Sequence, residues 1–184
     1  VIIRAKKKLS FNRNFNVIKL GKVAIIKKGK SITTTQRKEG NIKVVAGGRD
    51  YAYLHNEANR TADVITISAS GAYAGFVNYW DEPIFASDCN TVQGDDKMQT
   101  LFLYNYLVSI QDYIYTLQRG AAQPHVYSED IANIPIPDVN RDIQAKIVSE
   151  CDAIDADCNN SRATVEACRN KISYIFENLE KECN

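Results

Sequence analysis

The sequence predicts an α+β fold in which short strands come first and helices follow. Between Val17 and Gln93, apolar residues, many of them β-branched, form short runs separated by polar residues and glycine, which is typical of strands. From about Lys97 onward, apolar residues recur every three or four positions, the period of an α-helix with one buried face. This order of strands and then helices indicates an α+β domain.

The strand predictions rest on short apolar runs bounded by turn residues. After a turn within residues 17–28 comes a first strand, and further strands are predicted at residues 42–46, 64–69, 76–80, 84–86 and 91–93. Residues 64–80 predict a hairpin, because two of these runs flank the turn sequence Ser70-Gly71-Ala72.

One helix is predicted from about Lys97 to Gln118, and Gly120 is expected to end it. Its buried stripe consists of Leu103, Leu107, Ile110, Ile114 and Leu117. A short helical turn follows near Ser128. Residues 134–137 (Ile-Pro-Ile-Pro) are expected to be extended, because each proline disfavours helical geometry in the residue before it.

The C-terminal segment has the most regular pattern of the chain. Alternating steps of four and three residues connect Ile147, Cys151, Ile154, Cys158, Ser161, Val165, Cys168, Ile172, Ile175, Leu179 and Glu182, nearly all of them apolar or Cys. A repeat of 3.5 residues sustained for almost five heptads predicts a coiled-coil helix, about 60 Å long at 1.5 Å per residue. An amphipathic helix folded back on its own domain is the alternative. The predicted parts are a basic arm or linker at 1–16, a domain at 17–139 and the long helix at 140–184.

The charge is strongly polarised along the chain. Residues 1–49 hold 14 Lys and Arg against a single acid, Glu39, so that their net charge is +13, and residues 50–184 carry a net charge of −12. A basic half beside an acidic half suggests a polyanion-binding region, the alternative being a solvated basic face without a partner. Five cysteines without a C-x-x-C pair argue against a secreted disulfide scaffold. We expect a cytoplasmic protein.

The sequence patterns that could indicate catalysis or metal binding are incomplete. Gly29-Lys30-Ser31 resembles the end of a phosphate-binding loop, but the earlier glycine is replaced by Ala24. The two histidines, His55 and His125, lie near no nucleophile motif. Cysteines seven residues apart on a helix are about 10 Å apart, too far to share one zinc ion. We expect no catalytic residue, metal or cofactor in this chain.

The segments that suit a function are loops on which basic, hydroxyl, amide and aromatic side chains alternate. Cations attract phosphates, and amides and hydroxyls can read base edges. Such loops fit a nucleic-acid surface better than a small-molecule pocket. The expected DNA contacts are Lys27, Lys28, Lys30, Thr33, Thr34, Arg37, Lys38, Arg49, Tyr51, Tyr53, His55, Tyr73, Arg119, Gln123 and His125.

The order of several motifs resembles one family. Residues 20–31 (LGKVAIIKKGKS) are similar to the entry segment of a target recognition domain from type I restriction-modification specificity subunits. Residues 65–77 (ITISASGAYAGFV) resemble its central hairpin, and residues 120–126, 134–137 and 144–148 its closing motifs. The resemblance extends over residues 17–182, nearly the whole chain.

The resemblance implies a non-catalytic DNA sequence reader. The family fold is a curved, mostly β domain with packed helices, followed by a long helix. In two-domain specificity subunits, two such units occur in tandem and their helices pair. Each domain reads one half of a split site. The helices set the spacing and dock adenine methyltransferase subunits, which bind S-adenosylmethionine, and nuclease subunits join the complete complex.

Having one recognition domain and one helix, the chain allows three arrangements. It is a half-subunit that forms a homodimer, a fragment of a two-domain specificity subunit, or the C-terminal part of a methyltransferase with a fused recognition domain. The chain lacks the Asn/Asp-Pro-Pro-Tyr/Phe motif of adenine methylation. A coiled-coil assembly adaptor that binds protein is an alternative of a different class, and an autonomous enzyme is the reading with least support.

Overall fold

The computed structural model describes residues 16–182. The side chains of Thr34, Ser173 and residues 175–182 are outside this description, as is nearly all of the predicted basic arm. The strands are β1 (Val17–Lys19), β2 (Ile25–Lys28), β3 (Ile42–Val45), β4 (Tyr51–His55), β5 (Val64–Ser68), β6 (Val77–Trp80), β7 (Ile84–Ala86), β8 (Cys89–Gln93) and β9 (Pro135–Pro137). The helices are α1 (Lys97–Ser109), α2 (Gln111–Tyr115), α3 (Ser128–Ala132) and α4 (Arg141–Glu182), with 3₁₀ turns at Leu20–Lys22 and Thr34–Gln36. The predicted α+β class is confirmed.

An antiparallel four-stranded sheet with the order β2-β8-β5-β6 forms the centre of the domain. Its central strand β5 is buried along its whole length, which its β-branched sequence favours. The predicted hairpin is confirmed, because β5 pairs with β6 from Val64↔Trp80 to Ile67↔Val77. The loop between these two strands is held against the sheet, with Ser68 accepting a hydrogen bond from Gly75 N at 2.7 Å.

A second sheet with the order β4-β3-β7 packs beside the first. Strand β3 pairs antiparallel with β4 and parallel with β7. The two sheets share a buried cluster formed by Val45, Val64, Trp80, Ile84, Ala86 and Cys89. Our placement of residues 51–55 in a loop is wrong, because they form β4. Alternating tyrosines, which favour strands, were the available sequence signal.

The short strand β9 pairs antiparallel with β1, so the predicted extended conformation of residues 134–137 is confirmed. The Tyr106 hydroxyl donates to Pro135 O at 2.9 Å and thereby joins α1 to this pair. Leu20 N donates to Ile134 O at 2.9 Å. Proline is tolerated here because β9 has a single partner strand.

The single helix predicted over residues 97–118 is wrong, because α1 ends at Ser109 and α2 spans only Gln111–Tyr115. The Gln111 side chain donates to Gly75 O at 2.8 Å and accepts from Val77 N at 3.0 Å. This link to the β5–β6 hairpin is formed at the point where the helix breaks. Gly120, with φ +96°, lies in a later turn and does not cap a helix.

The long C-terminal helix is confirmed as α4, which has 42 residues. The Asn140 side chain accepts a hydrogen bond from Ile143 N at 3.0 Å at its start, as a helix N-cap does. The chain divides into two compact units between Ala145 and Lys146. No helix in the described part of the chain is long and apolar enough to cross a membrane.

Along α4, most of the described side chains of the predicted seam are exposed. Ile154, Val165 and Ile172 are 62%, 52% and 55% exposed. Cys158 and Cys168 are also exposed, while Ile147 and Cys151 are half-buried. The side chains of Ile175 and Leu179 are outside the described residues. An apolar seam of this kind needs a partner to become buried.

Arg60 connects the loop before β5 to the edge of the four-stranded sheet. Its Nε donates to Thr91 Oγ1 at 2.9 Å, and its two terminal nitrogens donate to Asn59 O at 2.7 Å and Lys28 O at 2.9 Å. Thr91 Oγ1 donates in turn to Lys27 O at 3.1 Å. The guanidinium therefore satisfies three acceptors. An apolar side chain at this position would leave all three without this donor.

We expect Arg60→Met to lower the free energy of unfolding by about 2–4 kcal/mol, because it keeps the aliphatic stem and removes three hydrogen bonds from a charged donor. Urea unfolding followed by the fluorescence of Trp80, the single tryptophan of the chain, measures the change. Arg162→Met, at an exposed position of α4, is the matched control. Equal midpoints for both variants would contradict this role of Arg60.

Asp63 is held in its ionised form by two donors. Tyr79 Oη donates to its Oδ1 at 2.5 Å and Lys97 Nζ lies 3.2 Å from the same atom. The tyrosine hydrogen bond, followed by the lysine, lowers the pKa of Asp63 below its ordinary value of 3.8. Its φ of +58° lies in the left-handed region that asparagine also adopts.

We expect Asp63→Asn to make the free energy of unfolding depend less on pH under acidic conditions. The carboxylate contributes stability that is complete above the unfolded pKa and is lost as the pH falls through the lower, folded pKa. Between about pH 4 and pH 2, the unfolding free energy of the natural chain should therefore fall more steeply than that of the variant. Urea unfolding at several pH values measures both slopes, and parallel profiles would argue against the prediction.

Candidate nucleic-acid interface

The predicted contact residues are distributed over two clusters and one strand. The first cluster surrounds a cavity of about 330 Å³, which we call the Gln36 cavity. Its lining consists of Lys30, Ser31, Ile32, Thr35, Gln36, Lys38, His55, Glu57 and Phe85. Lys30 and Lys38 are exposed, and they place two cations beside polar groups and one apolar wall.

Arg37 and Tyr53 form a cation–π pair, and the sequence neighbours of Arg37, Gln36 and Lys38, line this cavity. The guanidinium carbon of Arg37 lies 3.6 Å from the centre of the Tyr53 ring. A cation over an aromatic face is held in place while its donors stay accessible. Tyr53 lies on β4, so pairing of this strand with β3 positions Arg37 indirectly.

His55 does not fit the predicted role of a surface contact, because only 4% of it is exposed. Its Nδ1 accepts a hydrogen bond from Lys38 N at 3.3 Å, and its ring packs edge-on against Phe85 at 5.3 Å. The ring therefore supports the loop that carries Lys38. His55 is thus a buried support for this loop and not a surface contact.

The second cluster, which we call the His125 cluster, joins the loop of the β5–β6 hairpin to residues 119–127. Gly71 N donates to Pro124 O at 3.0 Å, and Val126 N donates to Ala69 O at 2.9 Å. The guanidinium carbon of Arg49, from the loop between β3 and β4, lies 4.8 Å from the ring centre of Tyr73 on this hairpin loop. Arg49, Tyr73 and His125 thus lie on loops that contact one another.

A second cavity, of about 200 Å³, opens within the His125 cluster. It is lined by Lys28, Ala69, Asp88, Asn90, His125, Val126, Tyr127 and Ser128. The Ser70 hydroxyl donates to Asp88 beside it. This carboxylate offsets part of the charge of Lys28, so the cavity is polar but not strongly basic.

Arg119 contacts residues of its own loop and of helix α3. Its guanidinium is paired with Asp130 and lies 5.6 Å from the Tyr127 ring centre. Its backbone exchanges two hydrogen bonds of 2.8 Å with His125. If Arg119 contacts a DNA phosphate, that phosphate therefore competes with Asp130 for the positive charge of the guanidinium.

Sequence reasoning missed Tyr127. Its ring is 51% exposed and stacks against His125 at a centroid distance of 6.2 Å. The signal was present in the sequence, since the apolar Val126 stands between His125 and Tyr127, and residues on either side of an inward-facing residue in an extended segment point to the opposite face. Tyr127 belongs with His125 as an exposed aromatic surface.

Lys27 and Lys28 lie on β2, and their side chains leave opposite faces of the sheet. Lys28 is paired with Asn90 and lines the second cavity, whereas Lys27 is paired with Thr91. Their adjacency in the sequence therefore does not make one basic patch.

The remaining predicted contacts are peripheral. Tyr51 is exposed and lies near Lys43, whose ammonium is 5.4 Å from the ring centre. Gln123 is exposed on the loop of the His125 cluster, and Thr33 is exposed at the rim of the first cluster. The side chain of Thr34 is outside the described residues.

Two of the described thiols, Cys89 and Cys151, are not activated as nucleophiles. Burial raises the pKa of the Cys89 thiol to about 12, and its Sγ donates to Val45 O at 3.6 Å. Burial, followed by nearby carboxylates, also raises the pKa of Cys151. Among the described residues, no group of three His, Cys, Asp or Glu could hold a metal ion.

Solved structures share this fold. The S subunit of the type I restriction-modification system from M. genitalium matches with a TM-score of 0.70 and 22% identity, over 88% of this chain and 45% of that chain. A structure describing assembly and conformational transition of the type I R-M system matches with a TM-score of 0.69 and 19% identity, over 86% and 43%. The HsdS subunit from Thermoanaerobacter tengcongensis matches with a TM-score of 0.61 and 20% identity, over 81% and 39%.

The chain therefore spans less than half the length of each of these subunits. A search of curated proteins gave no match. The family described as type I restriction modification DNA specificity domain matches residues 12–167, which is most of the chain. This confirms the resemblance seen in the sequence motifs, and the chain belongs to the type I restriction modification DNA specificity domain family.

Proposed function

We propose that this chain reads one half of a split DNA site and positions an adenine methyltransferase on it. Membership of a DNA specificity family supports the first part. The observation that carries it is the arrangement of exposed cations beside aromatic rings and amides in the two clusters. Such a surface combines attraction to phosphates with groups that can distinguish base edges.

In the proposed complex, cations supply affinity and the polar loop residues supply specificity. Lys28, Lys30 and Lys38 are accessible ammonium groups that can contact phosphates. The guanidiniums of Arg37 and Arg49 are oriented by tyrosine rings, which favours defined contacts over diffuse attraction. Threonine, glutamine and histidine side chains on the same loops can donate to or accept from bases in the major groove.

The coverage of the solved structures bears on the arrangement of the parent protein. A chain that matches under half of each solved subunit suits one recognition unit out of two. The three arrangements remain a homodimeric half-subunit, a fragment of a two-domain subunit, and the tail of a fused methyltransferase. In each of them, S-adenosylmethionine would bind to the methyltransferase partner or domain. A nuclease subunit would be a further partner, and the setting would be cytoplasmic.

The long helix α4 would set the distance between two half-sites by pairing with a like helix. Its exposed seam residues, Ile154, Val165 and Ile172, support this part of the proposal, because an apolar heptad seam is stable only when another helix covers it. A second copy of this chain supplies such a helix most simply.

We expect DNA binding to weaken steeply with salt, with a slope of log affinity against log salt near −5 if about six phosphates are contacted. Lys28→Gln and Lys30→Gln should each reduce the magnitude of this slope by about 0.9. Fluorescence anisotropy on a duplex selected from a random pool measures the slopes. Lys171→Gln, at an exposed position of α4, should leave the slope unchanged. Affinity that ignores salt, or selection without any sequence preference, would oppose the proposal.

We expect Ile154→Glu and Ile172→Glu to convert a dimer into a monomer, because a buried unpaired carboxylate in the seam is strongly unfavourable. Sedimentation velocity over a range of concentrations measures the association. Ala163→Glu adds the same charge at an exposed position outside the seam and should leave the dimer intact. If both seam variants sediment like the natural chain, pairing through α4 is wrong.

A further inference from the structure

Thr33 holds the side-chain amide of Gln36 in one orientation. The amide oxygen Oε1 accepts hydrogen bonds of 3.0 Å from both Thr33 N and Thr33 Oγ1. A backbone N–H can only donate, so the oxygen and not the nitrogen of the amide must face it. The sequence Thr-x-x-Gln at the start of a helical turn has the form of a capping box, and here it leaves Nε2 as the outward group.

Gln36 lines the Gln36 cavity, and its Nε2 is an available donor. Within the described part of the chain, this atom has no hydrogen-bond partner, whereas Thr35 is occupied, since its hydroxyl lies 3.0 Å from that of Thr33. The Thr33 hydroxyl is itself used as the donor to Gln36. Gln36 therefore offers a pre-oriented N–H group, whereas the hydroxyls of Thr33 and Thr35 are engaged with one another.

The surroundings of this donor favour a base edge over a phosphate. Lys30 and Lys38 flank the cavity and can bind the backbone on either side, while Phe85 and Ile32 form an apolar wall. The carboxylate of Glu57 also lines the cavity and would repel a phosphate placed inside it. A neutral amide donor beside an acid and an apolar wall suits an uncharged acceptor.

We propose that Gln36 is a specificity-determining residue, whose Nε2 donates to an acceptor on a base edge in the major groove. The acceptors of this class are purine N7, guanine O6 and thymine O4. This inference rests on the proposed DNA-reading function and names the contact that decides one position of the half-site.

The test is Gln36→Glu, which keeps an oxygen for Thr33 N and for the Thr33 hydroxyl but replaces the outward donor by an acceptor. Selection from random duplexes with the 184-residue chain should show a changed preference at one position, from a base with an outward acceptor to cytosine or adenine, whose amino groups donate. Affinity for the duplex selected by the natural chain should fall about tenfold or more. Asn159→Asp, at an exposed position of α4, adds the same charge and should change neither result.

Gln36→Met provides a second variant, which keeps the length of the side chain and removes both polar atoms. It should lose the preference at the same single position and keep the preferences at the others. Thermal unfolding of each variant accompanies the selections. An equal loss of preference at all positions together with a lower melting temperature would assign Gln36 a structural role and overturn the inference.

Different results would contradict the DNA-reading function and the role of Gln36. If the natural chain selects no motif, the DNA-reading function is wrong, and the role of Gln36 falls with it. If the natural chain selects a motif and Gln36→Glu selects the same motif with unchanged affinity, only the role of Gln36 is wrong.

Discussion

The placement of the loops depends on buried polar side chains on the two central strands of the four-stranded sheet. On β8, Asn90 Nδ2 donates to Val126 O at 3.1 Å, and on β5, Ser68 Oγ donates to Gly48 O at 2.9 Å. Both side chains are buried. Losing such a partner leaves a buried polar group unsatisfied, at a cost of about 1–3 kcal/mol. The sheet therefore fixes the backbone of the loops that carry Arg49 and His125.

This arrangement separates stability from recognition. The bonds that anchor the loops reach backbone atoms, such as that from Gln118 Nε2 to Ala74 O at 2.7 Å, so they do not depend on which side chains the loops expose. Exposed loop residues can then differ without loss of the core, which is how recognition loops on a rigid scaffold generally work. Gln36 also depends on a backbone group, because the backbone N–H of Thr33 orients its side-chain amide.

Much of the fold could be predicted because its signals are local. The β5–β6 hairpin, the extended residues 134–137 and helix α4 each follow from periodicity or from proline. The helix break at Ile110 could not be predicted in this way, because Gln111 bonds to Gly75 and Val77 more than thirty residues earlier. Strand β4 is a different case, because its alternating tyrosines were a local signal for a strand that we interpreted as a loop.

The amino-acid sequence by itself determined the class of the fold, the long heptad helix, the basic N-terminal segment at residues 1–49 and, through ordered motifs, the family. Only the tertiary structure decided which residues form a surface: it buries His55 against Phe85, brings Arg49 beside Tyr73 and joins residues 119–127 to the loop of the β5–β6 hairpin. The physical reason is that periodicity reports the environment of each residue relative to its own helix or strand. Exposure and side-chain orientation depend instead on contacts with segments distant in sequence, which no local pattern encodes.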